Sequence, residues 1–137
     1  MSDLIEEAAT LPAQTPLDIV FVYGSLKRGF GNHRVVRGAR FLGVGQTPPR
    51  FDLIDLGAFP AAIPGKHMLT GELYEVDQDT MERLDVLESN GELYQRKKIP
   101  VLMHGQQIPA WIYLFLCDDG MDPLVEPVGN RVTWENG

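Results

Sequence analysis

Ile19-Val20-Phe21-Val22-Tyr23-Gly24-Ser25-Leu26-Lys27-Arg28-Gly29 is the stretch that sets the fold class. Its first five residues are apolar, β-branched or aromatic without interruption, and Gly24-Ser25 ends the run. A strand with one face in water alternates, so an unbroken apolar run reads as a strand buried on both faces. The turn that follows carries Gly24, Gly29 and Gly31. Glycine lets a backbone approach a ligand closely. Successive amides in such a turn can form a concavity for a carboxylate or an oxyanion. The turn is not a P-loop, since the Gly-Lys-Ser/Thr ending is missing, and it is not Gly-x-Gly-x-x-Gly. On the residues alone, a plain tight turn with a basic exit accounts for it equally well.

Working outward, Asn32 is placed to cap a short helix over 33–38, which Gly38 would stop. Strands are predicted over 41–46 and 51–56, with Pro48-Pro49 between them. Residues 57–65 hold two prolines and two glycines and read as a loop. Residues 70–76 read as a strand, with Leu69, Gly71 and Leu73 on one face and Tyr74 and Val76 on the other. Asp77 and Asp79 offer N-caps for a helix over 81–88, and Glu82 stands three residues after Asp79 as in a capping box. Ser89-Asn90-Gly91 ends that helix. Two strands over 94–103 and 107–116 form a hairpin at His104-Gly105-Gln106. The sum is about six strands and two short helices, with most connections too short for parallel crossovers. The expected fold is α+β: a small mixed, mostly antiparallel β-barrel flanked by short helices. It would span 17–116, between a loose leader over 1–16 and an irregular tail over 117–137.

A chain of 137 residues suits one domain, and an apolar fraction of 44% suits a globular one. A net charge of -7 argues against a nucleic-acid partner, although Lys27, Arg28, His33, Arg34, Arg37 and Arg40 leave a local basic patch. The single cysteine, Cys117, excludes an internal disulfide and a multi-cysteine zinc site, and fits a reducing compartment. No apolar run approaches the ~20 residues that span a bilayer. The acidic start, Met1 to Glu7, lacks the basic region of a signal peptide. The expectation is a soluble, cytoplasmic monomer with no membrane partner.

The helix over 81–88 places a carboxylate where an apolar side chain belongs. Met81, Leu84 and Leu87 form its stripe, and at about 100° per residue Glu88 falls between Met81 and Leu84. Burial disfavours the charged form and raises a carboxyl's pKa toward the range of proton exchange at neutral pH. Two plainer readings stay open: Glu88 is the fraying last residue of the helix, or it pairs with Arg96 or Lys98. Other candidates carry less. Ser25 lacks a Gly-x-Ser-x-Gly setting and a histidine partner. His33, His67 and His104 have no metal-ligand spacing, so no metal is expected. Cys117 reads as packing. Trp111 and Tyr113 share one face of the last strand and read as core.

Taken together, Val20 to Gly29 with Asn32-His33 resembles the N-terminal signature of the gamma-glutamylcyclotransferase-like superfamily, in particular its gamma-glutamylamine cyclotransferase branch. Gly71-Glu72-Leu73-Tyr74-Glu75-Val76 is similar to that family's middle strand. Leu84-Asp85-Val86-Leu87-Glu88 with Leu93-Tyr94-Gln95-Arg96 is similar to its catalytic-glutamate segment, and Ala110-Trp111-Ile112-Tyr113 to its late strand. The resemblance implies a cofactor-free reaction on a small γ-glutamyl substrate. The substrate's α-amino group attacks its own γ-carbonyl and releases 5-oxoproline and an amine. It implies Glu88 as catalytic acid/base and Tyr23, Gly24, Ser25, Leu26, Asn32, Tyr94, Arg96 and Tyr113 as substrate-binding. Ser25 stands where relatives often carry Thr, and 89–92 lacks a proline that many members have. A non-catalytic module for a small acidic metabolite, and an enzyme removing a γ-glutamyl protecting group, remain as alternatives.

Overall fold

The unbroken apolar run after Asp18 has its structural counterpart in a strand buried on both sides. The computed structural model describes residues 17–24, 27, 33–36, 38–57 and 59–134. In it β1 (Asp18–Val22) sends Val20 and Val22 into one apolar cluster, while Phe21 and the adjoining Tyr23 enter another. Next come β2 (Arg40–Gln46), β3 (Phe51–Asp55), β4 (Pro60–Pro64) and β5 (Met68–Val76). After them come α1 (Gln78–Leu87), β6 (Tyr94–Met103), β7 (Gln106–Phe115) and β8 (Arg131–Val132). Among the described residues between β1 and β2 there is a 3-10 turn, His33–Val35, where a helix over 33–38 was predicted.

The strands β1-β5-β2-β6-β7 run round a closed barrel. Four of its junctions are antiparallel, and it closes by a parallel contact of β1 with β7 at Val20 and Trp111. Gly71 allows β1 and β5 to lie this close, since a Cβ there would collide with the Val22 carbonyl oxygen and the Phe21 ring. The β6–β7 hairpin turns at His104 and Gly105, both with positive φ (51° and 78°), as a two-residue turn of matching twist requires. The expected mixed, mostly antiparallel barrel is present; five strands close it, and the described residues hold eight strands in all rather than about six.

Two of the additional strands correct the sequence reading. Residues 60–64 are a strand, not a loop: β4 pairs with β3 along its length and touches β7 in parallel at Ala62 and Leu114. Its two prolines fall on the terminal residues, where a missing amide costs least, and Ala61 and Ala62 between them are fully buried. The tail is not irregular throughout either. Leu124 bridges to Ile54, Val125 N donates to Leu53 O at 2.8 Å, and β8 pairs in parallel with the start of β5. Cys117 is exposed and does not pack.

Helix α1 begins three residues before its predicted start. The Asp77 carboxylate, not Asp79, caps it by accepting from Thr80 N at 2.8 Å. Thr80, Met81 and Leu84 face inward; Leu87 is exposed. Leu84 is fully buried against β1 and β5 residues, and cutting it to Ala would cost about 2–5 kcal/mol. The helix ends in a Schellman arrangement. Ser89 N donates to Val86 O at 3.1 Å and Asn90 N to Asp85 O at 2.9 Å, with Ser89 in the left-handed region at φ 48°. This places Glu88 at the C-cap.

Candidate active site

The end of β1, the start of β4 and the end of α1 converge on one cavity with about 380 Å3 of empty space including its mouth. Phe21, Val22, Tyr23 and Gly24 supply one wall, Phe59 and Pro60 the second, and Glu88, Tyr94 and Tyr113 the third. The cavity therefore brings together Tyr23, Gly24, Glu88, Tyr94 and Tyr113 of the sequence-predicted site. Ser25, Leu26 and Asn32 lie outside the described residues. Arg96 is not in the lining; it stands behind Tyr113.

Among the described residues Glu88 is the sole ionisable carboxylate of the lining, and it is half-buried. Burial pushes its carboxyl from 4.5 up to about 7. Its place at a helix C-terminus, where unsatisfied carbonyls concentrate negative potential, acts in the same direction. Among the described residues no cation pairs with it. Arg96 Nε donates to Asp85 Oδ1 at 2.9 Å, and Lys98 lies 5.1 Å from the centre of the Trp111 ring. Neither ion pair entertained for Glu88 forms, and the Schellman bonds close the helix end instead of leaving it frayed.

The three tyrosines of the lining have different commitments. Burial raises the pKa of each phenol, and the neighbouring Glu88 charge adds to it, so all three stay protonated. Tyr23 is spent on the fold: its hydroxyl donates to Tyr113 O at 2.8 Å and accepts from Ala62 N at 3.1 Å. Tyr113 donates to Asp85 Oδ1 at 2.6 Å, tying β7 to the helix one turn before Glu88. The Tyr94 hydroxyl has no hydrogen-bond partner among the described residues, which leaves it free for a ligand in the cavity.

Gly24 is needed here for space. Its φ is not in the left-handed region, but a Cβ would lie 2.8 Å from Pro60 Cγ and 2.9 Å from Cδ. Sequence reasoning missed Phe59 and Pro60, because their stretch read as a loop, and it missed Asp85, whose anchoring role depends on partners in β6 and β7. Among the described residues no group of His, Cys, Asp or Glu side chains is placed to hold a metal ion, and no helix is long and apolar enough to cross a membrane.

Residues 20–131 match the family model described as gamma-glutamyl cyclotransferase, AIG2-like. A Methanocaldococcus jannaschii protein provisionally named a gamma-glutamylcyclotransferase is 35% identical over 103 residues, covering 72% of this chain and 85% of its own. The gamma-glutamylcyclotransferase family protein YtfP of Escherichia coli is 35% identical over 96 residues, covering 70% of this chain and 80% of its own. Among solved structures, an AIG2-like protein from Mus musculus superimposes with a TM-score of 0.72 at 30% identity, over 88% of this chain and 98% of its own.

Proposed function

This chain belongs to the gamma-glutamyl cyclotransferase, AIG2-like family, and we propose that it cleaves γ-glutamylamines to 5-oxoproline and a free amine, with Glu88 as acid and base. The observation that carries the reading is Glu88: a half-buried carboxyl without a cation partner among the described residues, raised to about 7, in the cavity between β1, β4 and α1. A carboxylate tuned near working pH can both take and return a proton.

In the proposed reaction the Glu88 carboxylate takes a proton from the substrate's α-ammonium. The freed amine attacks the γ-carbonyl carbon, closing a five-membered ring and placing charge on the carbonyl oxygen. Backbone amides of the turn after β1 and the Tyr94 hydroxyl are the proposed donors to the glutamyl group and the developing oxyanion. Collapse breaks the γ-amide C–N bond. Two protons leave the α-nitrogen and two arrive on the departing amine; Glu88 carries them in turn. Tyr113 contributes its ring to the wall. Arg96 acts through Asp85, holding the helix end from which Glu88 projects.

Incubation with a panel of γ-glutamyl dipeptides and γ-glutamylamines, with 5-oxoproline measured, tests the reading. Release is expected with at least one alkylamine conjugate; release from none of them would overturn it.

A further inference from the structure

Past the barrel the chain forms a strap whose end reaches back to the cavity. Asp55 N donates to Pro123 O and Val125 N to Leu53 O, both at 2.8 Å, along β3; β8 then pairs with β5. Trp134 follows, 1% exposed, in the same apolar cluster as Phe21 and Tyr23 of the cavity wall, and beyond the end of the family match. Its carbonyl accepts a 2.7 Å hydrogen bond from Lys27 Nζ, a partner 107 positions away. Lys27 N in turn donates to Gly24 O at 3.0 Å, and Gly24 lines the cavity against Pro60.

Stability alone is a poor account of this chain of contacts. Lys27 is 8% exposed, and taking an ammonium out of water offsets much of what its bonds return. The Trp134 indole N–H is buried with no hydrogen-bond partner among the described residues, a further cost to the fold. What the arrangement does secure is position: it fixes Gly24 and Lys27, the described ends of the turn, relative to the barrel. We propose that Lys27 and the Trp134 carbonyl are a positioning pair. Through them residues 131–134 hold the cavity wall at Gly24, so that affinity for the glutamyl group, rather than proton transfer at Glu88, depends on the tail. The affinity statement rests on the reaction proposed above; the positional statement does not.

Three variants test it: Lys27→Met, which keeps the stem and loses the donor; Lys27→Arg, which restores a donor; and deletion of 134–137. Lys27→Met should raise KM about tenfold, the usual worth of a charged hydrogen bond, and leave kcat within about twofold. Lys27→Arg should recover part of that loss. The deletion should also raise KM, and the two changes combined should raise it by clearly less than the product of their separate effects. A merely structural staple would lower Tm with KM unmoved, and that result overturns the proposal. A separate arm needs no turnover: hydrogen exchange at the Lys27 amide, bonded to Gly24 O, should quicken in Lys27→Met and in the deletion. If the wild-type protein releases no 5-oxoproline, the reaction assignment fails and this arm decides alone. Unchanged exchange in whichever of the variants folds overturns the positioning pair; faster exchange supports it.

Discussion

Glu88 and Gly24 face the same cavity, yet they are placed by contacts of opposite range. Around Glu88 the bonds are local. Its own N–H donates to Leu84 O at 2.9 Å, and the amides of Ser89 and Asn90 return to Val86 and Asp85. Around Gly24 they are distant: the adjoining Tyr23 hydroxyl reaches partners 39 and 90 positions away, and Lys27 reaches Trp134 across 107. The group proposed to move protons thus sits on a helix end closed by its own backbone bonds, with Tyr113 and Arg96 reaching that helix one turn earlier, at Asp85. The wall proposed to hold substrate is set by whatever packs against it. Changes of loop or tail can then alter substrate choice while the acid/base group stays in place.

The largest effect belongs to the local side. Glu88→Gln should fold and lose at least ~10²-fold in turnover; near-wild-type 5-oxoproline release in this variant would remove Glu88 from the chemistry. The pH dependence of the wild type follows from the same shift. Turnover should fall as pH drops through about 7, because the protonated carboxyl cannot accept the ammonium proton. Stability runs the other way. Between 4.5 and about 7 the folded chain holds a proton that the unfolded chain has lost, so wild-type stability falls as pH rises across that window. At pH 8 the wild type carries the whole cost of the buried charge and Gln carries none. Urea titrations should show Glu88→Gln the more stable by up to about 3 kcal/mol at pH 8, at ~1.36 kcal/mol per pH unit, with no such gain below 4.5.

Tyr113→Phe asks whether a distant strand also governs the helix end. Losing the bond to Asp85 should cost about 2 kcal/mol in denaturant melts, since the acceptor is charged. The midpoint of the pH–rate profile should stay near 7, because burial rather than this bond raises Glu88. A midpoint displaced by more than about one pH unit would break the comparison between local and distant placement.

On the distant side, Gly24→Ala presses a methyl group against the Pro60 ring and should cost about 1–2 kcal/mol of stability, with KM raised more than kcat is lowered. Adding Pro60→Ala should recover part of the affinity; a strictly additive double mutant would mean that the wall is not set by that contact. The smallest effect is again local. Ser89 sits at φ 48°, so Ser89→Gly should raise stability by about 1 kcal/mol and leave KM unchanged. A loss of stability, read as a lower Tm, would argue that the Ser89 side chain has a role at the helix end.

Residue order by itself determined the features that short-range physics controls. The five-residue apolar run after Asp18 could only be buried on both faces, and β1 divides its side chains between two clusters. The apolar stripe of α1 marked Glu88 as a carboxylate on the wrong face, and His104-Gly105 marked the hairpin. The cyclotransferase resemblance rested on the same local segments. Tertiary structure alone decided the rest. Pro60 to Pro64 is a strand because β3 and β7 lie beside it, not because of any period in five residues that begin and end with proline. Tyr23, Tyr94 and Tyr113 are the same residue type and differ in which groups stand within hydrogen-bond reach of each hydroxyl. Trp134 reads as one more tail residue until the strap carries it beneath β1 to Lys27. A side chain's periodicity and capping depend on neighbours a few positions away, which the sequence spells out. Pairing between strands and the fate of a buried hydroxyl depend on partners that only the closed barrel brings within reach.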